Sequence, residues 1–424
     1  MLQKRLIYLL FLFIGISVQG YGQKRLEVGK DKAFTSVRKA INNAQPFDTV
    51  LIYEGYYKEA DIQIDKPLVI EGINYPEIDG SGDENAITVT SDSVTIRGIS
   101  VVNVSTNYMN DLAAITLIKA SYCTLENNRL RNNFFGIFLQ RSNFNLIQNN
   151  RIEGNSKEDE VSSGNAVHLW YSKNNRILNN ETLKHRDGIY LEFADFTTIK
   201  GNFSHDQIRY GLHFMFSNNC KYIGNEFENN GAGVAVMFSR NILMRYNHFR
   251  RNWGSASYGL LLKEIYDAEV VNNQFTENTI AIYGESATRI KFLNNSFKDN
   301  GWGFKLLGSC YDNIVSENNF INNNFDFVTN VEKSSNTISK NYWSEYSGYD
   351  LDRNGVGDIP HRPIKLFSVV TQVVPDAIIL NQSLFVQLLD LAEKVNPTIT
   401  SVHIKDPDPV MKPWRLFFKP KSND

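Results

Sequence analysis

The sequence predicts an all-β fold, a right-handed parallel β-helix, on three observations. Asparagine pairs recur through the chain: Asn127-Asn128, Asn149-Asn150, Asn179-Asn180, Asn272-Asn273, Asn294-Asn295 and Asn318-Asn319, with Gly201-Asn202, Gly224-Asn225, Tyr246-Asn247 and Lys340-Asn341 in the gaps. Their spacing is regular, 22 residues from Asn128 to Asn150 and from Asn273 to Asn295, and 23 from Asn202 to Asn225. The segments between them are short and alternate Val, Ile, Leu or Phe with polar residues. Such a period marks a solenoid, whose coils are each too small to bury an apolar face and share one core when stacked. Coils stack about 4.8 Å apart, close enough for identical amides to donate to and accept from the next rung. The longer steps, 30 residues from Asn150 to Asn180 and 26 from Asn247 to Asn273, hold polar insertions at Ser156 to Ser163 and Gly254 to Ser257.

The elements follow in order. Residues 1–22 read as a signal peptide, with Lys4 and Arg5 before the apolar run Leu6 to Val18 and small Gly20 and Gly22 ahead of a cleavage site near Gln23. The mature chain is therefore expected to be exported. FTSVRKAINNA, Phe34 to Ala44, has helical spacing, with Val37, Ala40, Ile41 and Ala44 on one face to cap the first coil. DTVLIYEGYY, PLVIEG and VTIRGISV read as the first strands. This start resembles the pectate-lyase-like superfamily, which speaks to fold alone. The β-helix is expected over 23–363, and 364–424 forms a C-terminal extension.

Each coil has one strand that follows a Gly-like position: Gly136-IFLQ, Ala166-VHLW, Gly188-IYLE, Gly211-LHFM, Gly233-VAVM, Gly259-LLLK, Ala281-IYGE and Gly303-FKLL. Positions one and three are apolar and point inward, so positions two and four are expected to face out. Position two then stacks Phe138, His168, Tyr190, His213, Ala235, Leu261, Tyr283 and Lys305. Position four stacks Gln140, Trp170, Glu192, Met215, Met237, Lys263, Glu285 and Leu307. Met215 and Met237 stand on adjacent coils, with His213 two residues from Met215. An imidazole and two thioethers form a soft, low-charge donor set that suits Cu(I). The same residues, flanked by His168, Trp170, Tyr190 and Glu192, equally suit a docking face for a partner protein.

Other chemistries are less well supplied. A net charge of -2 gives no basic stripe for nucleic acid. Cys123, Cys220 and Cys310 are odd in number and fall in columns too far apart for a disulfide, so they read as buried, inert thiols. A carbohydrate-binding or polyuronate-modifying β-helix, a lyase or epimerase, needs a base or carboxylate pair on one face. Only His205-Asp206 and His185-Arg186-Asp187, with Glu192, offer one, and they precede the strands. Asp350, Asp352, Asn354 and Asp358 resemble the start of an oxygen-ligand Ca²⁺ loop, but His361 stands where that loop has glutamate, and an Asx-rich turn is the alternative. Ser383 to Val395 reads as an amphipathic helix carrying Leu384, Leu388, Leu391, Ala392 and Val395 on one face. It either packs on the last coil or forms an arm that docks on a partner.

RYGLHFMFSNN, GVAVMFSRN, YGLLLKE, NYWSEYSGYDLDRNGVGDIPHRP and the tail LFVQLLDLAEKVNPTIT with DPDPVMKPW together resemble the NosD family of periplasmic nitrous-oxide reductase maturation proteins, over nearly the whole mature chain. The resemblance implies a non-enzymatic periplasmic accessory protein. It implies work in copper-site assembly, with delivery of copper or a sulfur species. It implies as partners an ABC-type ATPase and permease, a copper chaperone and nitrous-oxide reductase. Carried to this sequence, His213, Met215 and Met237 become the transient Cu(I) contacts, and the helical tail becomes the arm toward the permease.

Overall fold

The computed structural model describes residues 23–107, 110–155, 163–254, 256–330, 335–381, 383–396, 400 and 404–418. The expected signal peptide and most of the Ser156 to Ser163 insertion lie outside the described residues. The rest winds into a right-handed parallel β-helix of about 13 turns. Each coil contributes one strand to each of three parallel sheets, which hold 14, 12 and 13 strands among the described residues. The 12-stranded sheet carries the longer strands, Phe135–Gln140, Asn165–Trp170, Asp187–Glu192, Tyr210–Met215, Ala232–Met237 and Tyr258–Lys263 among them.

The interior is built from stacked like residues. Ile137, Val167, Ile189, Leu212, Val234 and Leu260 form one fully buried column in mutual register. Phe227, Phe249, Phe275, Phe297, Phe320 and Trp343 form another, with ring centroids 4.2–5.4 Å apart. That spacing is the strand repeat itself, so aromatic stacking and backbone pairing are satisfied together. The helix α1, Val37–Asn43, closes the N-terminal end. Val37, Ala40 and Ile41 face the core, Ser36 caps the helix, and Glu59 accepts the free amides of Val37 and Arg38, both at 2.9 Å.

The asparagine pairs divide their work. The first member sits at a left-handed turn, as with Asn127, Asn149 and Asn179 at φ 54°, 55° and 52°, except in Asn318-Asn319, where Glu317 takes that turn at φ 57° and Asn318 is itself the rung; Gly and Asn tolerate this conformation best. Gly201 and Gly224 do the same at φ 68° and 63°. The second member turns inward and builds the ladder. From Asn128 to Asn318, each backbone N–H donates to the next asparagine's Oδ1 at 2.9–3.0 Å. Each Nδ2 donates to that same oxygen at 2.9–3.1 Å. The amide-to-amide bonds therefore all run the same way along the axis, while each Nδ2 also donates back to a carbonyl of the preceding coil. The last, Asn341, delivers its N–H and Nδ2 to the buried Asp406 carboxylate at 2.9 and 3.1 Å, and Lys340 N–H and Trp343 Nε1 also donate there. A second ladder, Asn230, Asn252, Asn278, Asn300 and Asn323, runs five residues behind the first.

The C-terminal extension differs from a free arm. Helix α2, Leu366–Val373, was not legible in the residue pattern. It leads through a 3-10 turn, Pro375–Leu380, into helix α3, Leu384–Val395, capped by Ser383. Phe367, Val386 and Leu389 pack against Phe325 and Val328 of the solenoid. Glu393 of α3 accepts the Leu366 N–H that begins α2. The Pro-rich tail then returns to the last coil. Val410 bridges Tyr342 and Val356, and Trp414 exchanges hydrogen bonds with Asn319 and donates Nε1 to the Lys340 carbonyl. Proline costs nothing here, because the tail meets the coil edge through its other backbone groups.

Candidate functional site

The eight aligned strands stack in the expected register. Phe138, His168, Tyr190, His213 and Ala235 are successive neighbours, as are Gln140, Trp170, Glu192, Met215, Met237 and Lys263. Met215 and Met237 are direct cross-strand partners and half-buried.

The surface position of column two is a correction. Phe138, His168, His213, Ala235 and Leu261 are buried rather than exposed. The cause is a corner in the chain. A Cβ on Gly136 would meet Ile152 Cγ2 at 2.4 Å, and one on Gly211 would meet Phe227 Cδ1 at 2.9 Å. The Gly-like position therefore faces the core together with position one. The residue before it is thrown outward beside position two. Ring contacts record this, with Phe135 5.5 Å from Phe138 and Tyr210 4.8 Å from His213. The position takes glycine or alanine because two successive inward residues leave no room for a larger second side chain.

That corner brings in residues the sequence reading set aside. Asp187 does not precede the strands; it opens the strand Asp187–Glu192 and is fully buried. His205 likewise ends a strand, Phe203–His205, rather than sitting in a turn. Asp187 Oδ2 lies 3.4 Å from His213 Nδ1, and its Oδ1 accepts the Tyr210 N–H at 3.3 Å. Arg186 Nε stands 3.9 Å from Oδ2, while its guanidinium donates to Asn165 Oδ1. His213 is 5% exposed and lies between Tyr190, 4.7 Å away, and Tyr210. Its Nε2 has no hydrogen-bond partner among the described residues.

His168 sits one coil beyond Tyr190, packed between Phe138 and Tyr190 at 4.7 Å from each. Burial, helped by the Arg186 charge, pushes its pKa down to about 3, so it is neutral at any ordinary pH. Glu192 Oε2 is 4.0 Å from its Nε2. Tyr190 separates the two imidazoles, so His168 and His213 cannot share one ion in this arrangement. Burial pushes the Tyr190 phenol up to about 12. Trp170, two residues along the strand from His168, is half-buried and packs against the cluster of Ala113, Phe135 and Phe138.

Beside the methionines runs an aromatic stripe that the sequence reading missed. Tyr171, Phe193, Phe216 and Phe238 stack at 4.6–5.1 Å, each the residue after position four and each at φ 48–52°. Four bulky residues in a left-handed turn, each following Trp170, Glu192, Met215 or Met237, were the available signal.

The remaining expectations lie elsewhere. Asp350, Asp352, Asn354 and Asp358 form an exposed, internally bonded loop. Asp350 accepts Asn354 and Gly355 amides at 3.1 and 2.8 Å, Asp352 accepts Asn354 Nδ2 at 2.8 Å, and Asp358 accepts the Leu351 N–H at 2.7 Å. Among the described residues no group of three or more His, Cys, Asp or Glu side chains is placed to hold a metal ion. Leu384, Leu388, Leu391 and Val395 do not pack on the coil; they are 56–80% exposed, because α3 docks through Val386 and Leu389 instead. Cys123, Cys220 and Cys310 are free and buried, and burial pushes the first two thiols up to about 11 and 12.

Residues 155–350 match the family model described as "Periplasmic copper-binding protein (NosD)", and residues 77–204 match "Right handed beta helix region". A relative from Pseudomonas aeruginosa, named "Probable ABC transporter binding protein NosD", is 28% identical over 369 residues, which span 82% of this chain and 85% of the relative. One of the same name from Stutzerimonas stutzeri is 25% identical over 84% of this chain and 85% of its own. Among solved structures, a family 28 exopolygalacturonase of Yersinia enterocolitica superposes with a TM-score of 0.55 at 11% identity, covering 75% of this chain and 78% of its own. A lacto-N-biosidase from Eubacterium ramulus gives 0.53 at 12% identity, covering 74% and 67%. At such identities these two show the shared fold alone.

Proposed function

We propose, from the NosD family match over residues 155–350 and the two NosD-named relatives, that this chain is a NosD-type periplasmic accessory protein for nitrous-oxide reductase maturation. In this reading it catalyses no reaction. It passes Cu(I), as cargo, between a copper chaperone and the reductase while docked on an ABC transporter. The observation that carries the reading is the soft donor set: His213, with an unpartnered Nε2, stands two residues from Met215, which pairs directly with Met237. Thioethers and neutral imidazole favour Cu(I) over harder cations, and half-buried methionines leave the ion an open side. The relatives' names support transporter docking. So does the exposed apolar face of α3, continued by Val373, Val374 and Ile379 at 79%, 52% and 86% exposure. Isolated exposed apolar residues are ordinary, but a contiguous cluster marks an interaction site. Against the sugar-modifying alternative, the His213–Asp187 pair is too deeply buried to meet a polysaccharide chain.

The test is Cu(I) binding to the mature protein, in competition with a Cu(I) chelator, beside a Met215→Ala/Met237→Ala double variant whose fold is checked by circular dichroism. Binding in the parent that is lost in the variant supports a transfer site. No binding in either makes the column a docking face only.

A further inference from the structure

We propose that Asp187 is the positioning residue for His213: it fixes the imidazole with its proton on Nδ1, so that the Nε2 lone pair is presented to a soft monovalent metal ion. The inference rests on the Cu(I) reading above and assigns a role to a residue outside the donor set.

Three features of the cluster combine. Each Asp187 carboxylate oxygen faces a group that can donate to it. One oxygen is taken by the Tyr210 backbone N–H at 3.3 Å, and the other faces His213 Nδ1 at 3.4 Å. A neutral imidazole so placed carries its proton on Nδ1, which leaves Nε2 as an acceptor. The ring cannot swing away, because Tyr190 and Tyr210 flank it at 4.7 and 4.8 Å. Nε2 is buried and finds no donor among the described residues. A buried acceptor that the fold supplies with no donor is a place prepared for an added ligand. A carboxylate bonded to the far nitrogen is also the arrangement that orients a ligating histidine and raises its basicity. Asp187 has its own anchors in Tyr210 and Arg186, so it acts as a fixed reference rather than a mobile counter-ion.

The discriminating variant is Asp187→Asn, which keeps shape and volume. The Tyr210 N–H still requires an acceptor, so the carbonyl of the introduced amide faces Tyr210 and its NH₂ faces His213. Nδ1 is then forced to accept, and the proton moves to Nε2. Two readouts on the full mature protein test this. The first is the imidazole tautomer of His213, read by long-range ¹H–¹⁵N correlation in ¹⁵N-histidine-labelled, metal-free protein, with assignment by His213→Gln. The second is Cu(I) affinity against a chelator. The expected result is the Nδ1–H tautomer in the parent, the Nε2–H tautomer in Asp187→Asn, and Cu(I) binding weakened about 10- to 100-fold with an unchanged thermal midpoint. An Nε2–H tautomer in the parent overturns the proposal, as does a variant that inverts the tautomer yet binds Cu(I) as tightly. A parent that shows the expected tautomer but binds no Cu(I) refutes the copper reading and the metal half of this proposal, while the Asp187-fixed tautomer stands.

Discussion

Asn149 and Asn150 are adjacent and chemically identical, yet the fold assigns them different work, and alanine substitution separates the two. Asn150 is 2% exposed. Its Oδ1 accepts Asn128 N–H and Nδ2, both at 3.0 Å, and its Nδ2 donates to Leu125 O and Asn180 Oδ1, both at 2.9 Å. Asn150→Ala leaves the Asn128 N–H as a buried donor without an acceptor. Asn128 Nδ2 keeps Ile96 O, and Asn180 Oδ1 keeps the Asn150 N–H. The Leu125 carbonyl loses one donor, and the amide leaves a small void. One orphaned donor, one under-satisfied acceptor and that void come to about 4 kcal/mol. Asn149 is exposed and its cost is conformational. At φ 55° an alanine loses only about 1 kcal/mol. The assay is urea unfolding by circular dichroism, joined to native-state hydrogen exchange, because a solenoid can open one coil at a time. Asn150→Ala is expected to shift the midpoint about four times as far and to expose amides of the flanking coils. Equal costs at the two positions would refute the ladder as a stabilising element.

Three further outcomes are expected. Asp326 is buried in the strand Phe325–Thr329, in register with the inward-facing Gly303, and burial raises its pKa to about 7, against the Asn323 hydrogen bond. An acid with a raised folded pKa stabilises fully below about pH 4 and loses that contribution as pH rises to 7. Asp326→Asn should therefore flatten the thermal midpoint between pH 4.5 and 8 and raise stability at pH 8 by about 2–4 kcal/mol; an unchanged slope would show that another group sets it. Leu388→Glu with Leu391→Glu should leave the thermal midpoint within about 1 °C, since exposed substitutions cost little, yet abolish co-purification with the membrane transporter; retained association would move the docking surface off α3. The three thiols should react with iodoacetamide only on unfolding, because the thiolate is the nucleophile and burial suppresses it; labelling of the native protein would contradict their placement.

The stacking of this chain was legible because a solenoid writes its register into a linear period. The columns from Phe138 to Lys305 and from Gln140 to Leu307 could be aligned by counting, and strand pairing follows the same alignment. Facing was harder. Strict alternation fails at the Gly-like position, and the failure is visible only in three dimensions, where Gly136 and Ile137 both face the core. That single corner hid Asp187, which pattern reading placed ahead of the strand, and buried His168 and His213. The second ladder was legible but unread, since Asn230, Asn252, Asn278, Asn300 and Asn323 each follow a first-ladder asparagine by five. The tail was misjudged for another reason. Its partner groups, Asn341 and Trp343, lie more than 60 residues upstream of Asp406, and no local pattern reports a contact of that separation.

The one-way amide ladder makes the solenoid a polar object with non-interchangeable ends. Each rung makes the same bonds, forward to the next amide and back to a carbonyl of the preceding coil, so any coil can follow any other, and the interior of the array imposes no length. Only the final rung needs something different in kind, an acceptor with two oxygens and a negative charge, and Asp406 is delivered there from far along the chain. Coil number is therefore a free variable between two fixed terminators. Duplication or deletion of one whole repeat would move the His213–Met237 face relative to the C-terminal helices in steps of about 4.8 Å without redesigning either end. The distance between that face and the C-terminal helices can be adjusted by counting coils, one rung at a time.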